Sequence, residues 1–141
     1  MKKIVVFGAG LSATYLIKYL EDNAQACGWE LTIIDRDVEL AKSKCHLSNT
    51  VCIELDINDN EKVAAEIAGS SLVVSMLPAS LHITIAKICL AQDIHLATAS
   101  YLSDEIEALE TEVSKKGLIF LNECGLDPGI DHLSAMKLLN D

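Results

Sequence analysis

Ile4-Val5-Val6-Phe7-Gly8-Ala9-Gly10-Leu11-Ser12-Ala13 decides the fold. Four consecutive apolar residues suit a strand covered on both faces, and the G-x-G-x-x-A directly after them reads as a turn opening a helix. In that reading Gly8 permits the tight turn, Gly10 lets a diphosphate approach bare backbone, and Ala13 keeps the helix close to the sheet. The first helical turn, with Leu11 and Ser12, then offers free N–H groups and a partial positive charge to phosphates. Two glycines alone are a weak signal, but a carboxylate supports them. Asp35 closes the second apolar run about twenty residues further on, where an acid accepts hydrogen bonds from the adenosine ribose. Asp35 repels a 2′-phosphate and so favours NAD. Arg36 beside it can accept that phosphate or stack on adenine, which keeps NADP possible.

Outward from this loop, short apolar runs alternate with longer amphipathic ones. The strands are expected at Lys3–Phe7, Glu30–Asp35, Thr50–Leu55, Ser71–Met76, His95–Thr98 and Leu118–Asn122. The helices are expected at Leu11–Ala26, Val38–Cys45, Asn60–Ala68, Ala79–Gln92 and Asp104–Lys115, with another beginning near Ile130. Runs such as Leu72-Val73-Val74 belong to a parallel sheet with helices above and below. Asp59 and Ser103 read as N-caps, Pro78 as a helix opening, and Gly28 and Gly117 as left-handed C-terminal residues. The expected fold class is α/β: a doubly wound parallel sheet of the Rossmann type, three layers, strand order 3-2-1-4-5-6. With 141 residues, half of them apolar, the chain suits one domain. It stops partway into a helical pattern, so residues 1–141 read as a truncated NAD(P)-binding domain whose substrate-holding and dimerisation domain lies outside this chain.

Charge and composition narrow the partners. A net charge of -10 repels polyanions, which argues against nucleic acid. No run approaches the roughly 18 apolar residues of a membrane span, and the apolar start runs into the glycine loop rather than a cleavage site, so a cytoplasmic protein is expected. Arg36 is the only arginine, a poor endowment for clamping a substrate with several carboxylates. The five cysteines, with no CxxC pair, read as small buried hydrophobes in a reducing compartment, and no metal site is expected.

In open α/β sheets the chemistry lies beyond the carboxyl ends of the strands. Ser75-Met76-Leu77-Pro78 is expected along the cofactor, and Asp56 with Ile57 at the adenine edge. Ala99-Ser100-Tyr101 and the Glu123–Gly129 loop, which carries Asp127, are expected on the nicotinamide and substrate side. His82 is read as a surface or packing histidine. His132, next to the Asp127 loop, has a better claim to function. Glu105, Glu107, Glu110 and Glu112 read as a solvated helix face.

Leu121-Asn122-Glu123-Cys124-Gly125-Leu126-Asp127-Pro128-Gly129-Ile130-Asp131-His132 closely resembles the signature of glutamate-forming saccharopine dehydrogenases. Leu77-Pro78-Ala79-Ser80-Leu81-His82 and Ala97-Thr98-Ala99-Ser100-Tyr101 are similar to that family as well, in the same order along the chain. The resemblance implies NAD(P)-linked oxidation at the CH–NH of a secondary amine such as saccharopine. Hydride leaves the carbon beside nitrogen, and the imine is hydrolysed to glutamate and aminoadipate semialdehyde. It also implies that a second domain shares the amino-acid substrate and forms a homodimer, and that Ser100, Tyr101 and Asp127 face the substrate, with Tyr101 or Asp127 positioning the amine or moving a proton. Alternatives remain open: a non-catalytic NAD-sensing module, or an enzyme like carboxynorspermidine or homospermidine synthase. A short-chain dehydrogenase is excluded, because Glu105 stands where its lysine follows the tyrosine.

Overall fold

Ile4 and Val6 pack on one face of the sheet while Val5 and Phe7 pack on the other, which divides the core into two layers. A computed structural model describes residues 1–140. The strands are β1 (Lys2–Phe7), β2 (Trp29–Asp35), β3 (Val51–Glu54), β4 (Leu72–Ser75), β5 (His95–Thr98) and β6 (Phe120–Leu121). All pair in parallel in the order β3-β2-β1-β4-β5-β6, as the sequence led one to expect. β1 is central: Phe7 lies opposite Ile34 on one side and Ser75 on the other, which brings the ends of β1, β2 and β4 level.

The helices are α1 (Thr14–Cys27), α2 (Val38–Lys44), α3 (Asn60–Ile67), α4 (His82–Ala91), α5 (Asp104–Glu107), α6 (Glu110–Lys115) and α7 (Ile130–Asn140). Ile17 and Leu20 of α1 and Ala41 of α2 cover the Ile4 and Val6 face. Val63 and Ile67 of α3, Ile85 and Cys89 of α4 and Ile106 of α5 cover the opposite one. Asp59 accepts from Lys62 N at 3.2 Å and Ser103 from Ile106 N at 3.3 Å, so both expected caps form. Gly28 and Gly117 have φ of 67° and 66°, the left-handed conformation that ends a helix.

Several local expectations are corrected. The first and fourth helices open with 3-10 turns, Leu11–Ala13 and Ala79–Leu81, the tighter turn common at helix ends. The stretch read as one helix from Asp104 to Lys115 is two, with Ala108 and Leu109 between them. β6 keeps only two of the five residues expected of it. The cysteines are not uniformly buried: Cys89 is, Cys45 and Cys52 are half-buried, and Cys27 and Cys124 are exposed. All five are free thiols. Cys45 Sγ lies 3.2 Å from Cys52 Sγ, and burial together with that neighbour pushes the Cys45 thiol up to about 12.

Candidate cofactor and substrate site

The glycine turn is shaped by two different demands. Gly8 has φ +92°, and a Cβ there would lie 3.0 Å from Met76 O, so the turn needs glycine for its own backbone. Gly10 has φ −62° and ψ −178°, open to any residue, and a Cβ there would meet nothing within 4 Å. A glycine with ordinary torsions and open space above it leaves room for something other than the protein. Beside it, the first-turn N–H groups of Leu11 and Ser12 have no intrahelical acceptor. The residues fit a diphosphate.

Asp35 sits where the sequence placed it, at the end of β2. Its Oδ2 accepts from Ala9 N at 2.7 Å and its Oδ1 from Asp37 N at 2.9 Å. The carboxylate therefore ties the glycine turn to the second strand while keeping lone pairs free for a sugar hydroxyl. Arg36 and Asp56 line a hollow of about 340 Å³ together with Asn58, Asp59 and Lys62. Ile57 turns inward and packs against the core instead of lining that hollow.

A groove of about 1140 Å³ runs along the carboxyl ends of β4, β5 and β6. Ser12, Ser75, Met76 and Leu77 line it beside the glycine turn, and Ser100, Asn122, Glu123 and Asp127 line it toward β5 and β6. Pro78 is exposed beside it and caps the 3-10 turn before α4. Tyr101 stands at the rim, exposed, and its hydroxyl donates to Asp127 Oδ1 at 2.7 Å. That bond holds the phenol above its ordinary range, and the nearby charges of Asp127, Asp131 and Glu123 add to the effect. Tyr101 accordingly keeps its proton at neutral pH and is the hydrogen-bond donor of the pair, with Asp127 the acceptor. Asp127→Asn is expected to move the Tyr101 titration midpoint downward, read from ring-carbon NMR shifts against pH. An unmoved midpoint would mean that the pair does not form in solution.

The loop carrying Asp127 folds on two glycines. Gly129 has φ +144°, and a Cβ there would collide with Gly125 O. Gly125 N donates to Pro128 O at 2.9 Å, and Ile130 N donates back to Gly125 O at 3.0 Å. The ring so formed presents Asp127 outward.

Other histidine and aromatic positions depart from expectation. His132 lies outside the groove lining and pairs with its neighbour Asp131 at 3.0 Å. His82 is 2% exposed, neither a surface residue nor a simple packing one. Its Nδ1 is 2.8 Å from Ser75 Oγ and its Nε2 2.8 Å from Ser100 Oγ, and burial holds it below the ordinary imidazole range. Tyr15 and Tyr19 of α1 line the groove and were not singled out by the sequence, although their i, i+4 spacing puts two rings on one outward helix face.

A doubly wound parallel sheet, a glycine turn receptive to phosphate and a carboxylate at the end of β2 define a dinucleotide-binding domain of the Rossmann type. The model for "Saccharopine dehydrogenase NADP binding domain" matches residues 4–121, and the chain belongs to that family. It is 33% identical over 141 residues to a saccharopine dehydrogenase (NADP(+), L-glutamate-forming) of Pyricularia oryzae, covering 99% of this chain and 30% of that protein. Over 95 residues it is 42% identical to the alpha-aminoadipic semialdehyde synthase of Arabidopsis thaliana, covering 67% of this chain and 9% of that one. The apo saccharopine dehydrogenase (L-Glu forming) of Saccharomyces cerevisiae superposes with a TM-score of 0.88 at 31% identity, over 99% of this chain and 31% of that structure. The chain thus spans about a third of the length of the dehydrogenases it matches. Its NAD(P)-binding character follows from the family. No helix among the described residues is long and apolar enough to cross a membrane.

Proposed function

We propose that residues 1–141 form the cofactor-binding domain of an oxidoreductase acting on the CH–NH bond of a secondary amine such as saccharopine, the first product being an imine that water cleaves to glutamate and aminoadipate semialdehyde. The observation that carries this reading is the Tyr101–Asp127 pair, set with Ser100 at the end of a groove whose other end passes Ser75 and Ser12. When bound, the nicotinamide nucleotide supplies the hydride acceptor. Gly10 and the first-turn amides of Leu11 and Ser12 bind the diphosphate, and Asp35 holds the ribose. Asp127 uses Oδ1 for the Tyr101 hydroxyl, which leaves Oδ2 to accept from the substrate nitrogen and to take its proton.

Both cofactor forms have support. Asp35 favours NAD by charge, yet both of its oxygens already accept backbone N–H groups, and Arg36 and Lys62 bring two cations to the hollow beside it. Lys62 is paired with Asp59 at 2.7 Å and Glu54 and Asp56 also line the hollow, so Arg36 is the cation left to meet a 2′-phosphate, in keeping with the NADP in the family description. A single arginine argues that the clamps for a polycarboxylate substrate belong to further polypeptide. That polypeptide forms a second domain and the homodimer contact. A reducing compartment such as the cytoplasm suits five free thiols.

Calorimetric titration of the chain with NADPH and NADH is expected to give heat of binding for NADPH at least equal in affinity to NADH, with no turnover of saccharopine by this chain alone. Absence of binding by either nucleotide would overturn the reading. Turnover by residues 1–141 would refute the need for a second domain.

A further inference from the structure

His82 joins two elements of the groove through a path that the reaction as outlined does not use. Ser75 ends β4, His82 opens α4 and Ser100 follows β5. Both ring nitrogens of His82 are engaged, each at 2.8 Å from a serine oxygen. The two ends of this chain of bonds differ. Both serines border the groove, but Ser75 is 0% exposed and its hydroxyl has no other hydrogen-bond partner among the described residues, whereas Ser100 is half-exposed.

That difference fixes the direction of the chain. A serine hydroxyl has one hydrogen and must give it to something. Were Nδ1 to carry the imidazole hydrogen, the Ser75 O–H, 0% exposed, would be left with no acceptor among the described residues, the costly case for a buried polar group. With the hydrogen on Nε2, Ser75 donates to Nδ1, Nε2–H donates to the oxygen of Ser100, and every hydrogen in the chain has an acceptor but one. The one left over is the Ser100 O–H, at the groove.

From this arrangement we infer that His82 is a positioning residue that holds Ser100 as a hydrogen-bond donor toward the groove, for an acceptor oxygen of the bound ligand. The inference rests on the proposed reading of the groove as the nicotinamide and substrate side. Two oxygens share the required chemistry: the carboxamide oxygen of the nicotinamide and a carboxylate oxygen of the amino-acid substrate. In a chain with one arginine, an oriented hydroxyl gains weight as a carboxylate or amide partner.

The tautomer can be read directly. Two-bond proton–nitrogen NMR spectra of the full chain labelled with 15N-histidine are expected to show His82 as a single Nε2–H species, its signals identified by their loss in His82→Gln. The Nδ1–H form, or an averaged mixture, would overturn the inference whether or not any nucleotide binds.

The consequence for ligands is tested with two amides that each replace one half of the ring. A glutamine amide nitrogen reaches the Nε2 position and can still donate to Ser100, whereas asparagine reaches only the Nδ1 position. His82→Gln is expected to bind ligand within about 2-fold of the unsubstituted chain and His82→Asn roughly 10-fold more weakly, the size of one directed hydrogen bond. A merely structural histidine would make both variants fail alike, which would overturn the proposal, as would no loss in either. The probes are NADPH alone, then L-glutamate added to the NADPH-saturated chain. A loss already present with NADPH puts the nicotinamide amide on Ser100, and a loss confined to L-glutamate puts a carboxylate there. Failure of the unsubstituted chain to bind NADPH would sink the cofactor reading, while the tautomer still decides the arrangement of His82.

Discussion

Gly10→Val is expected to abolish cofactor binding while leaving the fold in place: NADPH affinity falls at least ~100-fold and the melting temperature moves by no more than about 4 °C. The separation of the two effects follows from the local geometry. Gly10 has φ −62°, is exposed, and has no heavy atom within 4 Å of an added Cβ, so the protein itself accommodates a side chain there. What valine occupies is the space over the first-turn amides, where a diphosphate must touch backbone to gain from them. Gly8→Val is the contrasting control. Its φ of +92° and the Met76 carbonyl 3.0 Å from a Cβ make that substitution a fold defect, so binding and stability fall together. Calorimetry with NADPH beside thermal denaturation distinguishes the pair. Full affinity in Gly10→Val would show that the diphosphate does not lie on Gly10.

The largest stability effect is expected away from the groove, at Glu21 of α1. This carboxylate is 2% exposed and carries the segment between α2 and β3. It accepts from His46 N at 2.9 Å, from Leu47 N at 3.2 Å and from Thr50 Oγ1 at 2.6 Å. Removing it strands three donors. Glu21→Ala is expected to cost about 4 kcal/mol, with a fall in melting temperature of roughly 10–15 °C. Glu21→Gln loses less, because one amide oxygen still accepts while the amide N–H₂ faces donors. A cost below about 1 kcal/mol for the alanine variant would mean that water serves those donors in place of the carboxylate.

The sheet order and the glycine turn were legible because they depend on local patterning. Ile4 to Phe7 is apolar on both faces, Asp35 ends its strand, and the spacing between them is set by one helix and one turn. The pairing of Tyr101 with Asp127 was legible only as two residues at one sheet edge; the 2.7 Å contact depends on how the Gly125–Gly129 ring aims the loop. His82 was misread for a related reason. Its partners are seven residues before it, at the end of β4, and eighteen after it, in the loop beyond β5, and no helical or strand period links them. Glu21 was passed over because an acid in an amphipathic helix ordinarily faces water. Its burial is set by backbone amides of a loop whose path the sequence pattern does not reveal. The break between α5 and α6 also left no mark, since Ala108 and Leu109 are both good helix formers.

The bond from Ala9 N to Asp35 has a consequence for binding. An amide already held by the Asp35 carboxylate is one torsion pair of the turn that a nucleotide does not have to order, which lowers the entropic cost of docking.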